Sequence, residues 1–265
     1  MHRIRYWAIT LTSWLVTAKA LARTGLLALF MALFIGSMPA QAASRISPQL
    51  EEQVLQIILN HPEVILESVQ AYQQRQQEQL QQAQQQFLQQ LKANPQEVIG
   101  ESPTTGAAES KIVLIEFSDF QCPYCAEAHK TLKQLMATHQ DEVTLVYKHF
   151  PLTPVHPEAM SAAKAAWAAS QQGKFWEYQD ALFSQQDKLG EALYVATAKT
   201  LNLDLEQFNR DRISKVASAA IQKDIQLAQS VGITGTPFFV MNGETFSGAV
   251  ELSDIENRLA RVRKL

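Results

Sequence analysis

The feature that most limits which fold and which chemistry this chain can have is a Cys-Pro-Tyr-Cys segment, which lies at the junction of a predicted strand and a predicted helix. Cys122 and Cys125 are the two cysteines of the 265-residue sequence, which excludes a framework of structural disulfides. They follow the β-branched run 111–117 (KIVLIEF), and the pattern predicts a helix from Pro123 to His139. Unpaired N–H groups and the helix dipole at a helix N-terminus favour a thiolate. Cys122 is therefore predicted to be the attacking sulfur, with Cys125 in reserve one turn further in.

Two cysteines at this spacing can also be interpreted as half of a zinc site. Histidines follow at positions 129, 139, 149 and 156, but no pair has the three-to-five-residue gap of a zinc-finger helix. A metal held by Cys122, Cys125 and His129 stays open as the less favoured alternative. We expect no metal and no cofactor.

Charge argues against one class of partner. The chain carries 23 basic and 26 acidic residues, with a net charge of −3. Since no basic stripe or basic tail is present, we expect no nucleic-acid partner.

Residues 1–42 resemble an export signal. Basic residues precede a short apolar run at 26–36, and Ala40-Gln41-Ala42 has the small-x-small form of a cleavage site. The apolar run is shorter than the roughly 20 residues of a spanning helix. We expect cleavage after Ala42 and a periplasmic or otherwise extracytoplasmic protein, with an uncleaved membrane anchor as the alternative.

Residues 43–97 form a glutamine-rich segment with helical spacing of apolar residues. Thirteen of the 21 residues from Gln70 to Gln90 are glutamine, a good helix former. Asn60-His61-Pro62 is predicted to separate two helices, and Asn94-Pro95 to end the second. The pattern indicates a coiled coil that makes a homo-oligomer through residues 48–92, or else a solvated helix or a low-complexity tract.

The remaining residues, 98–265, are predicted to form one α/β domain. A linker at 100–106 leads to a strand, a helix and a second strand at 142–150, which together make a parallel βαβ unit. A helical insertion at about 156–231 follows. Two strands, 238–241 and 245–249, are then joined by an Asn242-Gly243 hairpin turn, and a capping box at Ser253 announces the last helix, to Val262.

Four segments resemble the DsbA-like branch of the thioredoxin superfamily, particularly its Com1-like and suppressor-of-copper-sensitivity members. They are 115–125 (IEFSDFQCPYC), 147–156 (YKHFPLTPVH), 172–183 (QGKFWEYQDALF) and 232–240 (GITGTPFFV). The resemblance covers about residues 108–265. It implies a thioredoxin fold with an inserted helical subdomain, here preceded by the long N-terminal helical segment.

The resemblance also implies roles for single residues. Pro237 is expected to be a cis-proline that faces the cysteines, and the backbone of Thr236 to bind an extended substrate beside Pro123 and Tyr124. Glu116 is expected to be a buried acid that moves a proton to or from Cys125.

One position departs from the strong oxidase of this family, which has histidine where this chain has Tyr124. A tyrosine carries no positive charge at neutral pH, so the thiolate is expected to be less stabilised and the disulfide less oxidising.

Four other polar residues near these motifs are expected to have structural rather than catalytic positions. Asp119 and His129 are expected at a helix entry and on the surface. His149 and His156 are expected in cap or turn positions at the edge of a substrate groove.

These observations predict an exported thiol–disulfide oxidoreductase that forms or isomerises disulfides in cysteine-containing polypeptides. An unidentified membrane protein would restore its redox state. A glutaredoxin-like reductase and a copper-binding thiol protein are the alternatives.

Overall fold

The computed structural model describes residues 47–108 and 112–264. The predicted export signal and its cleavage site lie outside the described residues. Among the helices of the described ranges, none is both long and apolar enough to cross a membrane.

A five-stranded mixed sheet organises the domain, with the strand order β1-β3-β2-β4-β5. The β2 and β3 strands pair in parallel around one crossover helix, which confirms the predicted βαβ unit. The other three pairings are antiparallel. The strands are β1 (Thr104–Gly106), β2 (Ile112–Ser118), β3 (Val143–His149), β4 (Phe238–Met241) and β5 (Glu244–Ser247).

Helices precede the sheet, cross between its strands and fill the insertion. Breaks fall where the sequence predicts them, at His61 and Asn94. The helices are α1 (Pro48–Asn60), α2 (Pro62–Ala93), α3 (Pro95–Ile99), α4 (Pro123–His139), α5 (Ala159–Ser170), α6 (Phe175–Ser184), α7 (Glu191–Thr200), α8 (Leu205–Arg212), α9 (Lys215–Ser230) and α10 (Leu252–Val262), with a 3₁₀ turn at Gln186–Lys188.

The central strand β2 is buried along its whole length because apolar clusters cover both of its faces. Val113, Ile115 and Phe117 belong to one cluster, together with residues of α2 and α9. Ile112 and Leu114 belong to a second cluster, with residues of α4 and α10. This burial holds the end of β2, and therefore the start of the cysteine loop, in a fixed position.

The second half of the glutamine-rich helix α2 belongs to the domain core. Phe87 and Leu91 are buried in the same cluster as β2. One compact unit of the chain ends at Val69 and the next runs from Gln70 to Leu265. The part of α2 after Val69 therefore belongs to the same compact unit as the sheet, because its apolar side chains pack there.

The first unit, described from residue 47, contains α1 and the start of α2. Its large apolar side chains are exposed, including Leu59 at 62% and Leu66 at 64%.

Three local predictions need correction. Thr104–Gly106, predicted as linker, pairs antiparallel with β3 as an edge strand. The last helix begins at Leu252 with Glu251 as its N-cap, so Ser253 lies inside it and does not cap it. The last strand is Glu244–Ser247 and not 245–249.

The hairpin turn between β4 and β5 is confirmed. Asn242 and Gly243 both have positive φ angles, 44° and 105°, as the tight two-residue hairpin turn requires.

Candidate active site

Cys122 occupies the N-cap position of α4, where the chain leaves the sheet. Its backbone is extended and Pro123 starts the helix, as the sequence predicts. The carbonyl of Cys122 accepts the N–H groups of Cys125 and Ala126 at 3.1 and 3.3 Å. The sulfur of Cys122 lies at the start of the helix, where the N–H groups of Tyr124 and Cys125 help to stabilise a negative charge on it.

This position stabilises the Cys122 thiolate. The pKa of Cys122 falls from 9.0 to about 5, chiefly through a hydrogen bond with the Cys125 thiol, with further contributions from the Thr236 side chain and the N–H groups of Cys125 and Tyr124. Burial opposes the shift. Tyr124 contributes through its backbone, while its side chain is 63% exposed.

Cys125 has the opposite environment. It is fully buried, and burial is the main reason why its pKa is raised, with the nearby Cys122 and Glu116 acting in the same direction. The N–H of Asp119 points at its sulfur from 3.5 Å. The environment thus favours the thiolate form at Cys122 and the protonated form at Cys125.

The Thr236–Pro237 peptide is cis and lies opposite the cysteines, as the resemblance implies. The Cys122 thiol donates to the carbonyl of Thr236 over 3.4 Å. The backbone of Thr236 therefore lines the edge of the reactive sulfur, where an extended polypeptide would reach it.

Glu116 lies behind the cysteines in β2 and is 1% exposed. Burial raises its pKa from 4.5 to about 7, and the neighbouring Ser118 lowers it in part. Its Oε1 atom has no hydrogen-bond partner among the described residues. A carboxyl that titrates near neutrality beside Cys125 suits proton transfer at that sulfur.

Asp119 is a buried anchor and not the surface residue that the sequence analysis expected. It accepts hydrogen bonds from the N–H groups of Gln121 and Leu152, both at 2.8 Å, and from His156 Nδ1 at 2.7 Å. It thereby ties the cysteine loop to the loop after β3. The bond to Gln121, two residues on, is an Asx turn, a local signal that the sequence does carry.

Gln186 was missed by the sequence analysis. Its side-chain amide donates to the carbonyls of Phe120 and Cys122, both at 2.8 Å. The residue lies more than 60 positions along the chain, so no local pattern marks it.

The histidines near the site contact other partners than the cysteines. His129 pairs with Asp180 at 3.0 Å, and burial lowers its pKa. His149 is buried among aromatic rings, and burial lowers its pKa to about 3, so the structure corrects the expected turn or cap role. Within the described ranges, no group of three His, Cys, Asp or Glu side chains has an arrangement suited to a metal ion.

The family of DSBA-like thioredoxin domains matches residues 113–260, more than half of the chain. The family of copper resistance protein ScsC N-terminal domains matches residues 57–79, which cover the end of α1 and the first part of α2.

Two solved structures illustrate the likeness of fold. A thioredoxin-like oxidoreductase from Silicibacter pomeroyi is 33% identical, with a TM-score of 0.60, and the alignment covers 65% of this chain and 99% of that one. Proteus mirabilis ScsC in a transitional conformation is 22% identical, with a TM-score of 0.59, over 83% of this chain and all of that one.

The curated relatives found by sequence are much longer proteins. The Na(+)/H(+) antiporter NhaA 3 of Salinispora tropica is 38% identical over 143 residues, which is 54% of this chain and 22% of the antiporter. The chain spans about a quarter or less of the first such relatives, so their name describes proteins that are mostly unmatched here.

Proposed function

The chain belongs to the family of DSBA-like thioredoxin domains, and from this premise we propose that it forms or isomerises disulfide bonds in exported polypeptides. Its fold is that of DsbA-like thiol–disulfide oxidoreductases. One observation carries the proposal: two thiols one helical turn apart have pKa values shifted in opposite directions. That difference, together with the position of Cys122 at the helix start and the full burial of Cys125, supports attack by Cys122 and resolution by Cys125.

In the oxidising direction, a substrate thiolate attacks the Cys122 sulfur of the protein disulfide. A mixed disulfide forms, and Cys125 leaves as a thiolate. A second substrate thiolate then attacks the substrate sulfur of the mixed disulfide and expels Cys122, so that the substrate is oxidised by two electrons and the protein is reduced. Because the Cys122 thiolate is stabilised, it is a good leaving group in this last step.

Glu116 serves the buried sulfur. When Cys125 leaves as a thiolate in a site that disfavours charge, a protonated Glu116 supplies a proton. When Cys125 attacks, the carboxylate accepts one. A pKa of about 7 lets the same group act in both directions near neutral pH.

The stabilised thiolate also bears on the direction of net reaction. Lowering the pKa of Cys122 stabilises the reduced protein and makes its disulfide more oxidising. A value of about 5 supports disulfide donation or isomerisation over a reductase role, despite the tyrosine at position 124.

The substrate would bind as an extended cysteine-containing chain along the backbone of Thr236. The export-like first 42 residues support an extracytoplasmic place of action. There, a membrane redox protein would return the cysteines to their working state, oxidised for disulfide donation or reduced for isomerisation.

We also propose that the chain self-associates through the exposed apolar residues of the predicted segment 48–92. Eleven large apolar side chains between Leu50 and Tyr72 are 39% to 64% exposed. Such a surface is costly in water unless a partner covers it. The spacing of Val54 and Ile58 within α1, and of Ile65, Val69 and Tyr72 within α2, is close to that of a coiled-coil seam.

The first test measures the equilibrium redox potential of the cysteine pair in glutathione buffers, together with catalysis of RNase refolding. A potential around −120 mV supports a disulfide donor, and one near −200 mV or below supports an isomerase or a reductase. Cys122→Ser must abolish catalysis. Refolding at the uncatalysed rate by the wild-type chain in both redox states would contradict the proposal.

A further inference from the structure

The glutamine-rich helix α2 touches the segment that leads to the cis-proline. The side-chain amide of Gln84 donates to the carbonyl of Val231 over 2.9 Å. One turn earlier, Leu80 lies against Gly232, where an added Cβ atom would come within 2.8 Å of Leu80 Cδ1. Both contacts fall within the unit Gln70–Leu265.

The contacted segment is the end of helix α9. Gly232 has a φ of +76°, and the N–H of Ile233 donates to the carbonyl of Ala228 at 2.9 Å, which together form a Schellman ending. The carbonyl of Val231 follows the last helical turn and has no later N–H in the helix to pair with. Gln84 supplies the missing donor.

This helix end lies only a few residues before the substrate-binding backbone. Ile233 is buried in the same cluster as Phe87 and Leu91 of α2, whereas Thr234 and Gly235 are exposed. Thr236 then presents its carbonyl to Cys122. The segment is held on the Val231 side by α2 and continues into strand β4 on the other.

We propose that Gln84 and Leu80 are positioning residues for the cis-proline loop, through which the glutamine-rich helix controls substrate binding at the cysteines. The inference rests on the proposed function. Neither residue touches the reacting sulfurs. Both act by fixing where the loop leaves α9, and so where the backbone of Thr236 lies relative to Cys122.

The sharpest variant is Gln84→Glu, which keeps the shape of the side chain and replaces the donor with a carboxylate. A carboxylate beside the Val231 carbonyl repels it. Gln85→Glu is the matched control, because it makes the same charge change at the next, exposed position of the helix. Gln84→Asn, which keeps the donor on a shorter side chain, tests for partial rescue.

Two readouts are measured on the full chain. For oxidation of a dithiol peptide, we expect KM to rise about five-fold in Gln84→Glu, the factor that corresponds to one lost hydrogen bond. We expect kcat to change little, since Cys122 remains mostly thiolate at pH 7. The Cys122 titration, followed by thiolate absorbance, should move to higher pH because the Thr236 side chain, which lowers the pKa of Cys122, moves away from the sulfur. Gln85→Glu should match the wild type in both.

The loop side offers a second test. Gly232→Ala should raise KM, because an added Cβ atom meets Leu80 Cδ1 at 2.8 Å and a φ of +76° is strained for any side chain. Leu80→Ala should raise KM as well, because the loop loses one of its two contacts with α2. If Gln84→Glu and Gln85→Glu agree in both KM and the Cys122 titration, or if only the melting temperature changes, the inference is wrong. If instead the wild-type chain shows no more activity than Cys122→Ser, the proposed function fails, while the titration still decides the role of Gln84.

Discussion

At the scale of residues, the two cysteines differ in their contacts, although both belong to one apolar cluster. Cys122 begins α4 and its thiolate is stabilised chiefly by the Cys125 thiol, whereas Cys125 is fully buried and its charged form is disfavoured. The same chemical group therefore has a pKa of about 5 at one position and a strongly raised pKa at the other. The difference follows from burial and from the contact between the two sulfurs, and it supports attack by Cys122 and resolution by Cys125.

The first prediction concerns the titration of Cys122. In the reduced protein, the rate of alkylation of Cys122 by iodoacetamide should rise through pH 5 and level off by about pH 7, since only the thiolate reacts. An ordinary thiol would still be gaining reactivity at pH 9. Stopped-flow alkylation of the Cys125→Ser variant reports on Cys122 alone. This variant lacks the Cys125 hydrogen bond, so the titration midpoint of Cys122 in it should lie at a higher pH than in the wild type. The wild-type midpoint is therefore read from thiolate absorbance, and a midpoint near pH 9 there would contradict the assignment.

The second prediction concerns Glu116. If its carboxylate form accepts the proton of Cys125, as we propose, resolution of a mixed disulfide should accelerate as pH rises through about 7. Glu116→Gln should slow this step about a hundred-fold, at the lower end of general-base contributions, and remove the inflection at pH 7. The measurement is a pH profile of single-turnover release from a trapped mixed disulfide. Glu206→Gln, which changes an exposed carboxylate on α8, is the control and should retain the wild-type profile.

Sequence reasoning at this scale succeeded where a residue acts through its neighbours in the chain. The cysteines, Pro123 and the cis peptide at Pro237 were expected at the positions where the structure shows them. It failed for Gln186, whose partners are distant in sequence, and for Asp119, whose burial depends on how two loops meet. Side chains that join separate loops leave no periodic pattern to detect.

At the scale of elements, the most informative difference lies in α2. Its glutamine content suggested a separate helical segment, yet Phe87 and Leu91 are 5% and 3% exposed in the core. The glutamines that dominate the composition lie mostly on the solvent-exposed side of this helix. Two apolar residues one turn apart, Phe87 and Leu91, determine where it packs. Short strands are missed for a related reason, since three-residue Thr104–Gly106 is defined by its partner β3 and not by its own sequence.

The third prediction tests this integration. Phe87→Ala and Leu91→Ala should each lower the free energy of unfolding by about 2 to 5 kcal/mol, the range for large-to-small changes in a core. Gln89→Ala, on the exposed side of the same helix, should change it by less than about 0.5 kcal/mol. Urea unfolding followed by circular dichroism measures all three. If the three variants unfold alike, this helix contributes nothing to the domain.

At the scale of the whole molecule, the order of strands and helices was readable because each element carries its own period and boundaries. The parallel pair around α4, the helical insertion and the final hairpin appear in the predicted order. What the sequence did not specify is which helices share a core with which face of the sheet. That depends on the sum of many weak contacts, among which the α2 to α9 packing is one.

The last prediction concerns assembly. If residues 48–92 join copies of the chain, light scattering should give a multiple of the 29.7 kDa chain mass, or of the mature mass where the first residues are removed. The pair Ile58→Lys and Ile65→Lys places charges on the exposed apolar surface and should yield monomers with the redox potential unchanged, because the cysteines lie in the other unit. Gln74→Lys with Gln81→Lys adds the same charge at exposed polar positions and should leave the mass as it is.

If assembly brings several active sites to one substrate, the monomeric variant should lose catalysis of scrambled RNase refolding while it still oxidises a short dithiol peptide. A wild-type mass equal to one chain would overturn the assembly proposal and leave simple disulfide donation as the better account.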